Sequence, residues 1–470
     1  MFFKRLYNPK LAQASYLVGC QKTGEALVID PNRDVDVYLE QAAAESLTLT
    51  AVTETHIHAD FVSGLRELSQ RAGATAYLSR EGGPDWSYRF ARPHDRLVGD
   101  GDILKIGNVE LQAMHTPGHT PEHLTFLLRD RAASDQWMGA FTGDFLFVGD
   151  VGRPDLLEKA AGVASSTEAA GSALFRSLQR FRELPGYLQI WPAHGAGSAC
   201  GKQLGAVPQS TLGYERLANW AFSIKSEQDF VRAVIRDQPE PPRYFGQMKK
   251  INRDGPAPLG GLHAPEQLQL SSLEDGPRQG RLVVDTRSAP EFAAGHIPGT
   301  LNLPCGKAFL AWAGWLLPYD QTMILIARDE SAALEVTRDL AMIGLDRVVG
   351  YLPAQALALW PGRLQRVRQV EAEELESRLK NGEVVIVDVR GQAEWEAGHI
   401  AGARHAFLGA LQSQLDELPR DRPLVTQCQS GQRSAIAASV LLQHGFDKVW
   451  NLAGGYGEWL RRQQMPAEVR

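Results

Sequence analysis

Long apolar runs are missing from this 470-residue chain, and so are clustered cysteines and a surplus of basic charge. A membrane-spanning helix needs about 18 or more consecutive apolar residues. The run around Ala308–Leu317 is too short for that and reads as core. Met1–Tyr7 shows neither the apolar stretch nor the cleavage pattern of a secretory leader. The four cysteines, Cys20, Cys200, Cys305 and Cys428, lie too far apart for a zinc ribbon or a disulfide framework. A net charge of −6 offers no electrostatic footprint for nucleic acid or an anionic membrane surface. The expected address is the cytoplasm, with no nucleic-acid or membrane partner. Oligomeric state is left open, a homo-oligomer included.

What the chain does have is enough apolar material, 44% of residues, for several packed cores. Its length suggests about three domains. A Pro- and Gly-rich stretch from Gln238 to Gly261 reads as a linker. Beyond it the sequence repeats itself. Asp285-Thr-Arg, Glu291 and Gly295-His-Ile return as Asp388-Val-Arg, Glu394 and Gly398-His-Ile. Each copy is followed by an apolar strand, a loop and a helix that ends in Ile343-Gly-Leu-Asp or His444-Gly-Phe-Asp. A repeat unit this long is a duplicated domain. Short continuous apolar runs such as Leu282–Val284 and Val384–Val387, alternating with helical patterns, predict α/β domains with buried parallel sheets. The expected division is 1–245, a linker over 246–261, and domains over 262–363 and 368–466.

The N-terminal region reads differently. Ser15–Cys20 and Glu25–Asp30 look like two strands, and Ala51–Thr53, Val109–Met114, Leu124–Leu128, Met138–Thr142 and Leu188–Trp191 like further ones. Most of these end near a loop bearing His or Asp, which suits a site at one edge of stacked sheets. Helices are expected over Phe61–Ala72 and Leu174–Leu184. Four motifs stand in order: Thr55-His-Ile-His-Ala-Asp-Phe61, Met114-His-Thr-Pro-Gly-His119, Phe141-Thr-Gly-Asp144 and Pro192-Ala-His194. This series resembles the metallo-β-lactamase superfamily, which implies an αββα sandwich. The superfamily's two-metal pattern has a final histidine where this chain has Phe61, and a phenyl ring cannot ligate. The resemblance therefore narrows to the one-metal persulfide dioxygenases. It implies one Fe(II) per chain on His56, His119 and Asp144, two imidazoles and a carboxylate that leave positions open for O2 and a substrate. His58 and Asp60 are expected to orient those ligands by hydrogen bonds, and His194 to support or face substrate. His115 and His123 are expected to be structural. Arg153, in the loop Gly149–Asp155 with Asp150, is read either as a grip on a thiol cofactor's anion or as a brace paired with Asp155. Cys200 follows the His194 loop closely, and resemblance to dioxygenase–rhodanese fusions implies a sulfur-relay role to set beside that of an inert buried thiol.

Near the C-terminus the strand Leu424–Thr426 runs into Gln427, Cys428, Gln429, Ser430, Gly431, Gln432, Arg433 and Ser434, then a helix. A thiolate at a helix N-terminus is stabilised by converging amides and the helix dipole. With the Asp-x-Arg and Gly-His-Ile motifs, this loop resembles rhodanese, Cys428 carrying sulfur and Arg433 completing the loop. The middle copy aligns Ala327 with Cys428 and Ala332 with Arg433. Its loop, Arg328-Asp-Glu-Ser331, has two acids and no glycine, so it should not carry sulfur, and Cys305 is not an obvious replacement. The resemblance to persulfide dioxygenase–rhodanese fusions implies oxidation of a low-molecular-weight thiol persulfide by O2 to sulfite, coupled to sulfur transfer that makes or uses thiosulfate. The rival is a glyoxalase II-type thiolester hydrolase with rhodanese-like domains appended.

Overall fold

The computed structural model of the chain describes residues 1–159, 166–198, 200–202, 204–238, 240–275 and 280–464. The expected ends of the last domain at residues 465–466, position 239 of the expected linker and position 199 beside Cys200 lie outside the described residues. Two compact units emerge, Met1–Leu262 with Arg338–Gly344, and His263–Thr337 with Leu345 onward. Among the described residues no helix is long and apolar enough to cross a membrane.

The first unit is built on two six-stranded sheets. One runs in chain order from Phe2–Asn8 through Gln13–Cys20, Glu25–Ile29, Thr48–Thr53 and Thr75–Ser79 to Arg96–Val98. The other runs from Ile103–Ile106 through Val109–His115, Leu124–Asp130 and Gly139–Gly143 to Gln189–Pro192 and Ser210–Thr211. Tyr16, Val18, Leu27 and Ile29 of the first sheet meet Leu111, Phe126, Phe141 and Trp191 of the second in one core. Alternate residues of the first sheet, Leu17, Val28 and Val52, pack outward on Tyr38, Leu65 and Leu68 of helices. Met114, Leu127 and Ala140 of the second pack outward on Leu174, Leu178 and Phe181. Period-two side-chain alternation thus feeds both faces of each sheet, and the result is an αββα sandwich.

Two expected helices shift. One starts at Leu65 instead of Phe61, because the backbone of Phe61 and Ser63 is taken by the Asn252 side chain at 2.7 and 2.9 Å. The other, Thr167–Arg182, begins upstream of Leu174. Its first buried positions are Ala170 and Gly171, small residues that hide the apolar period. The linker expected over 246–261 is corrected. Its first half belongs to the helix Tyr244–Asp254, whose buried face is Tyr244, Phe245, Met248 and Asn252. The prolines mark the approach to this helix, and its four Lys, Arg and Asp residues mask a narrow apolar stripe.

The second unit holds two all-parallel sheets. The four-stranded one places Leu301–Asn302, Leu282–Asp285, Met323–Ala327 and Val348–Pro353 side by side. The five-stranded one orders Arg368–Val370, Val449–Leu452, Leu424–Gln427, Val385–Asp388 and Arg404–His405. Asp285 pairs with Ile326 and Asp388 with Gln427, so the registers of the two copies coincide. One residue further on, Ala327 stands where the other copy has Cys428.

Candidate functional site

The chemistry-bearing residues of the first unit sit just past strand ends. His56 follows Thr48–Thr53, His119 lies between Val109–His115 and Leu124–Asp130, Asp144 follows Gly139–Gly143, and His194 follows Gln189–Pro192. Gly143 makes the turn into Asp144 at φ +51, and a Cβ there would come within 2.5 Å of both Thr55 Oγ1 and His123 Nε2. All four site residues are buried.

The donor atoms converge. Asp144 Oδ2 is 3.9 Å from His56 Nε2 and 3.5 Å from His119 Nε2, and Asp144 Oδ1 is 3.5 Å from His194 Nε2. His56, His119 and Asp144 form one compact ligand-type group, and Asp60, His194 and Cys200 form a second. His194 Nε2 is 3.2 Å from Asp60 Oδ2. His56 Nε2, His194 Nε2, Asp60 Oδ1 and both Asp144 carboxylate oxygens are buried without a hydrogen bond. So many unsatisfied polar atoms aimed at one point would be costly unless a cation drew on them. The residues therefore fit a metal ion, with His56, His119 and Asp144 as the tightest set.

Their surroundings fix the tautomers. His119 Nδ1 donates to the Arg153 carbonyl at 3.2 Å, which leaves Nε2 as a lone pair facing Asp144. The Thr55 hydroxyl lies 3.1 Å from Asp30 Oδ2 and 3.0 Å from His56 Nδ1, so it can donate to the carboxylate and accept from the ring. Burial lowers the affinity of His56 and His119 for a second proton, and the neighbouring histidines add to this at His56. Neutral imidazole is the form that binds metal. His58 behaves oppositely. Burial resists its charge, but Asp30 at 3.1 Å, with help from Glu54 and Asp60, raises it to about 9. His58 and Asp30 are thus a buried ion pair beneath the site.

Arg153 is fully buried, with Nε and Nη2 forked on Asp155 at 2.8 and 2.6 Å. Breaking such a pair costs ~3–5 kcal/mol. The geometry is that of the brace, and the Arg153 carbonyl orients His119. Phe61 is buried with its ring 4.3 Å from that of His58. His123 accepts from the Asp144 amide at 3.1 Å, while His115 is tied to the Pro121 carbonyl. Asp150 accepts from the Lys202 amide and from Trp220 Nε1, pinning the segment that carries Cys200. Burial, followed by the nearby Asp60 and Asp144 charges, pushes the Cys200 thiol well up. Asp30 was not singled out from the sequence. Its signal is the carboxylate that closes the strand Glu25–Ile29, where it adopts φ +52.

In the second unit Cys428 ends the strand Leu424–Gln427 and is buried. Gly431 takes φ +93, which turns its amide onto Cys428 Sγ at 3.2 Å before the helix Gln432–Gln443 begins. The Tyr456 and Gly457 amides clamp the Cys428 and Gln429 carbonyls. Arg433 is forked on Glu394. Ser434 is buried in the first helical turn, whereas Gln429 and Ser430 are exposed. The middle loop is built around an acid instead. Asp329 accepts from the Ala332 amide at 2.8 Å and pairs with Arg328, and the exposed Cys305 lies close enough to act electrostatically on Arg328. An Ala327→Cys, Cys428→Ala protein is accordingly expected to show no sulfur transfer from thiosulfate, since the loop after position 327 lacks the glycine whose amide meets Cys428 and the arginine that follows it. Near-normal turnover in that variant would show that loop chemistry matters little.

Comparison with known proteins agrees with this architecture. The metallo-beta-lactamase superfamily matches residues 9–181, and the rhodanese-like domain matches residues 266–353 and 371–462. The chain is 30% identical over 241 residues to the mitochondrial persulfide dioxygenase ETHE1 of Mus musculus, covering 50% of this chain and 80% of that one. It is 31% identical over 180 residues to a hydroxyacylglutathione hydrolase of Actinobacillus pleuropneumoniae, covering 38% and 65%. A crystal structure of a metallo-beta-lactamase from Staphylococcus aureus aligns with a TM-score of 0.70 and 47% identity over 75% of this chain and 99% of that one. The chain belongs to the metallo-β-lactamase superfamily, as a fusion of an N-terminal domain having persulfide dioxygenase homologues with two C-terminal rhodanese-like domains.

Proposed function

We propose that this chain oxidises a low-molecular-weight thiol persulfide with O2 to sulfite, using one ferrous ion held by His56, His119 and Asp144, and that Cys428 carries out sulfur transfer as a sulfurtransferase. The observation that carries the first part is the convergence of two neutral imidazoles and a buried carboxylate beside Phe61, where a two-metal site needs another ligand. An iron bound there would supply the one-electron chemistry with dioxygen that side chains lack. The chain's own residues do the rest. Arg153 and Thr55 hold the ligand rings in one tautomer, and His123 holds the backbone of Asp144. The buried walls keep bulk water from the reacting groups. At the other site the Cys428 thiolate attacks the outer sulfur of a donor. A new S–S bond forms, the donor's S–S bond breaks, and the thiol or sulfite leaves with the bonding pair. Sulfite can then attack the outer sulfur, releasing thiosulfate and the Cys428 thiolate. Sulfide detoxification in the cytoplasm is the purpose this chemistry suits.

The hydrolase similarity and the Asp60, His194 and Cys200 group favour a second reading, thiolester hydrolysis on two metals. Metal analysis combined with oxygen-electrode assays separates the two. One iron per chain and persulfide-dependent oxygen uptake are expected. Two zinc ions per chain with thiolester hydrolysis and no oxygen uptake would replace the dioxygenase reading.

A further inference from the structure

The guanidiniums at the Cys428 loop already have carboxylate partners. Arg390 forks onto Asp388 at 3.0 and 2.7 Å, donates to the Gly398 carbonyl and lies over the Tyr456 ring, whose own amide binds the Cys428 carbonyl. Arg433 gives Nη1 and Nη2 to Glu394 at 2.6 and 2.8 Å, and the Cys428 sulfur is near enough to act on it electrostatically. The two pairs differ in what they can release. The Asp388 side chain is fully buried, whereas that of Glu394 is 40% exposed and can turn back into water.

The middle domain supplies an internal control. Glu291 occupies the place of Glu394 in the repeat, with Ala332 where the other copy has Arg433. Glu291 still caps its helix, accepting from the Ser288 amide and hydroxyl at 3.0 and 2.5 Å. Glu394 does the same more loosely, accepting from the Gly391 amide at 3.3 Å. Capping therefore accounts for a glutamate in both copies, but not for the fork, which occurs where the loop keeps its cysteine.

We propose that Glu394 is a specificity-determining residue of the Cys428 loop, competing with anionic sulfur donors and acceptors for Arg433. This rests on the sulfurtransferase reading above. Thiosulfate and sulfite present oxygens that match a guanidinium fork. To use Arg433 they must displace Glu394, while an uncharged thiol exchanging sulfur with Cys428 need not. In the charged reaction the Cys428 thiolate bonds to the sulfane sulfur of thiosulfate, the S–S bond of thiosulfate breaks, and sulfite departs with the electron pair. Sulfite is the species that Arg433 would hold as Glu394 swings away. The resting pair thus biases the loop towards uncharged thiol partners.

Glu394→Gln tests this, because the amide oxygen still caps the helix while the charge is gone. The KM for thiosulfate should fall about fivefold, the scale of one partly exposed ion pair. The KM for 2-mercaptoethanol as sulfur acceptor should stay unchanged. Glu394→Asp, too short to hold the fork, should move the thiosulfate KM in the same direction, which keeps the test open if the first variant folds poorly. In an Arg433→Ala background the effect of Glu394→Gln should vanish. A higher thiosulfate KM in Glu394→Gln would mean that Glu394 only positions Arg433, and the proposal fails. It fails equally if the drop persists without Arg433. A wild-type chain that turns over no thiosulfate would instead remove the sulfurtransferase reading itself.

Discussion

Alanine at His56, His119 or Asp144 is expected to abolish both iron binding and persulfide-dependent oxygen uptake. Each residue supplies a buried donor atom to one point, and the nearby His194 faces Asp60 at 3.2 Å in a second group, so it replaces none of the three without leaving that carboxylate. His58 is the nearest alternative ring, 4.3 Å from His56 between centroids, but its Nε2 is committed to Asp30. His123 is committed on both nitrogens, to Thr116 and to the Asp144 amide. Loss of one ligand therefore leaves a two-donor remnant, too few to hold a labile ferrous ion against buffer. The variants should still fold. The side chains sit on loops past strand ends, and the sandwich core between the sheets does not include them. Iron content and oxygen uptake are the measurements, with sulfur transfer from thiosulfate by Cys428 as the internal control, expected to survive. Retained oxygen uptake in a His119→Ala protein would show that the ligand set is misassigned.

How much of this was legible in the sequence depends on what each residue does. The strand-end histidines and aspartates were visible because the motifs combine rare residue types in a fixed order, and the repeat exposed the duplicated domains. The edges of elements were harder. The strands Phe2–Asn8 and Ile103–Ile106 carry lysine or arginine on solvent-facing positions, which breaks the apolar pattern that marks a core strand. The helix Tyr244–Asp254 was hidden in a linker signal, yet Asn252 ties together the His58 and Phe61 carbonyls. Supporting residues were the least readable. Asp30 acts on Thr55 and His58 across the gap between two parallel strands, and nothing local in sequence announces such a contact. Glu394 stands in the repeat, but its partner Arg433 lies on another element, so only the fold unites them. Arg153 shows the reverse difficulty. An arginine two residues before an aspartate is equally consistent with a ligand grip and a brace, and only the fold shows the guanidinium forked on Asp155.

Cys428→Ser is expected to stop sulfur transfer completely while leaving oxygen uptake largely intact. The serine hydroxyl would occupy the same place beneath the Gly431 amide, so the loop and its clamps to Tyr456 and Gly457 should persist. What disappears is the chemistry. A hydroxyl is far less acidic than a thiol, is not appreciably ionised even at a helix N-terminus, and cannot hold a persulfide. The donor atoms around Asp144 belong to the first unit and the Cys428 loop to the second. Thr55 holds His56, His123 holds the Asp144 amide and Arg153 holds His119, all within the first unit, so iron content should match the wild type. The product balance should move instead. With persulfide and O2 supplied, sulfite should accumulate at the expense of thiosulfate, apart from the slow uncatalysed reaction of sulfite with free persulfide. Side-by-side assays of oxygen, sulfite and thiosulfate for Cys428→Ser and His119→Ala provide the check, because the two variants should lose opposite halves of the activity. A folded, iron-loaded Cys428→Ser protein that takes up no oxygen would overturn the two-site reading. Cys428 would then have to deliver the sulfur that is oxidised, and the two units would form one catalytic sequence with a single obligatory entry point.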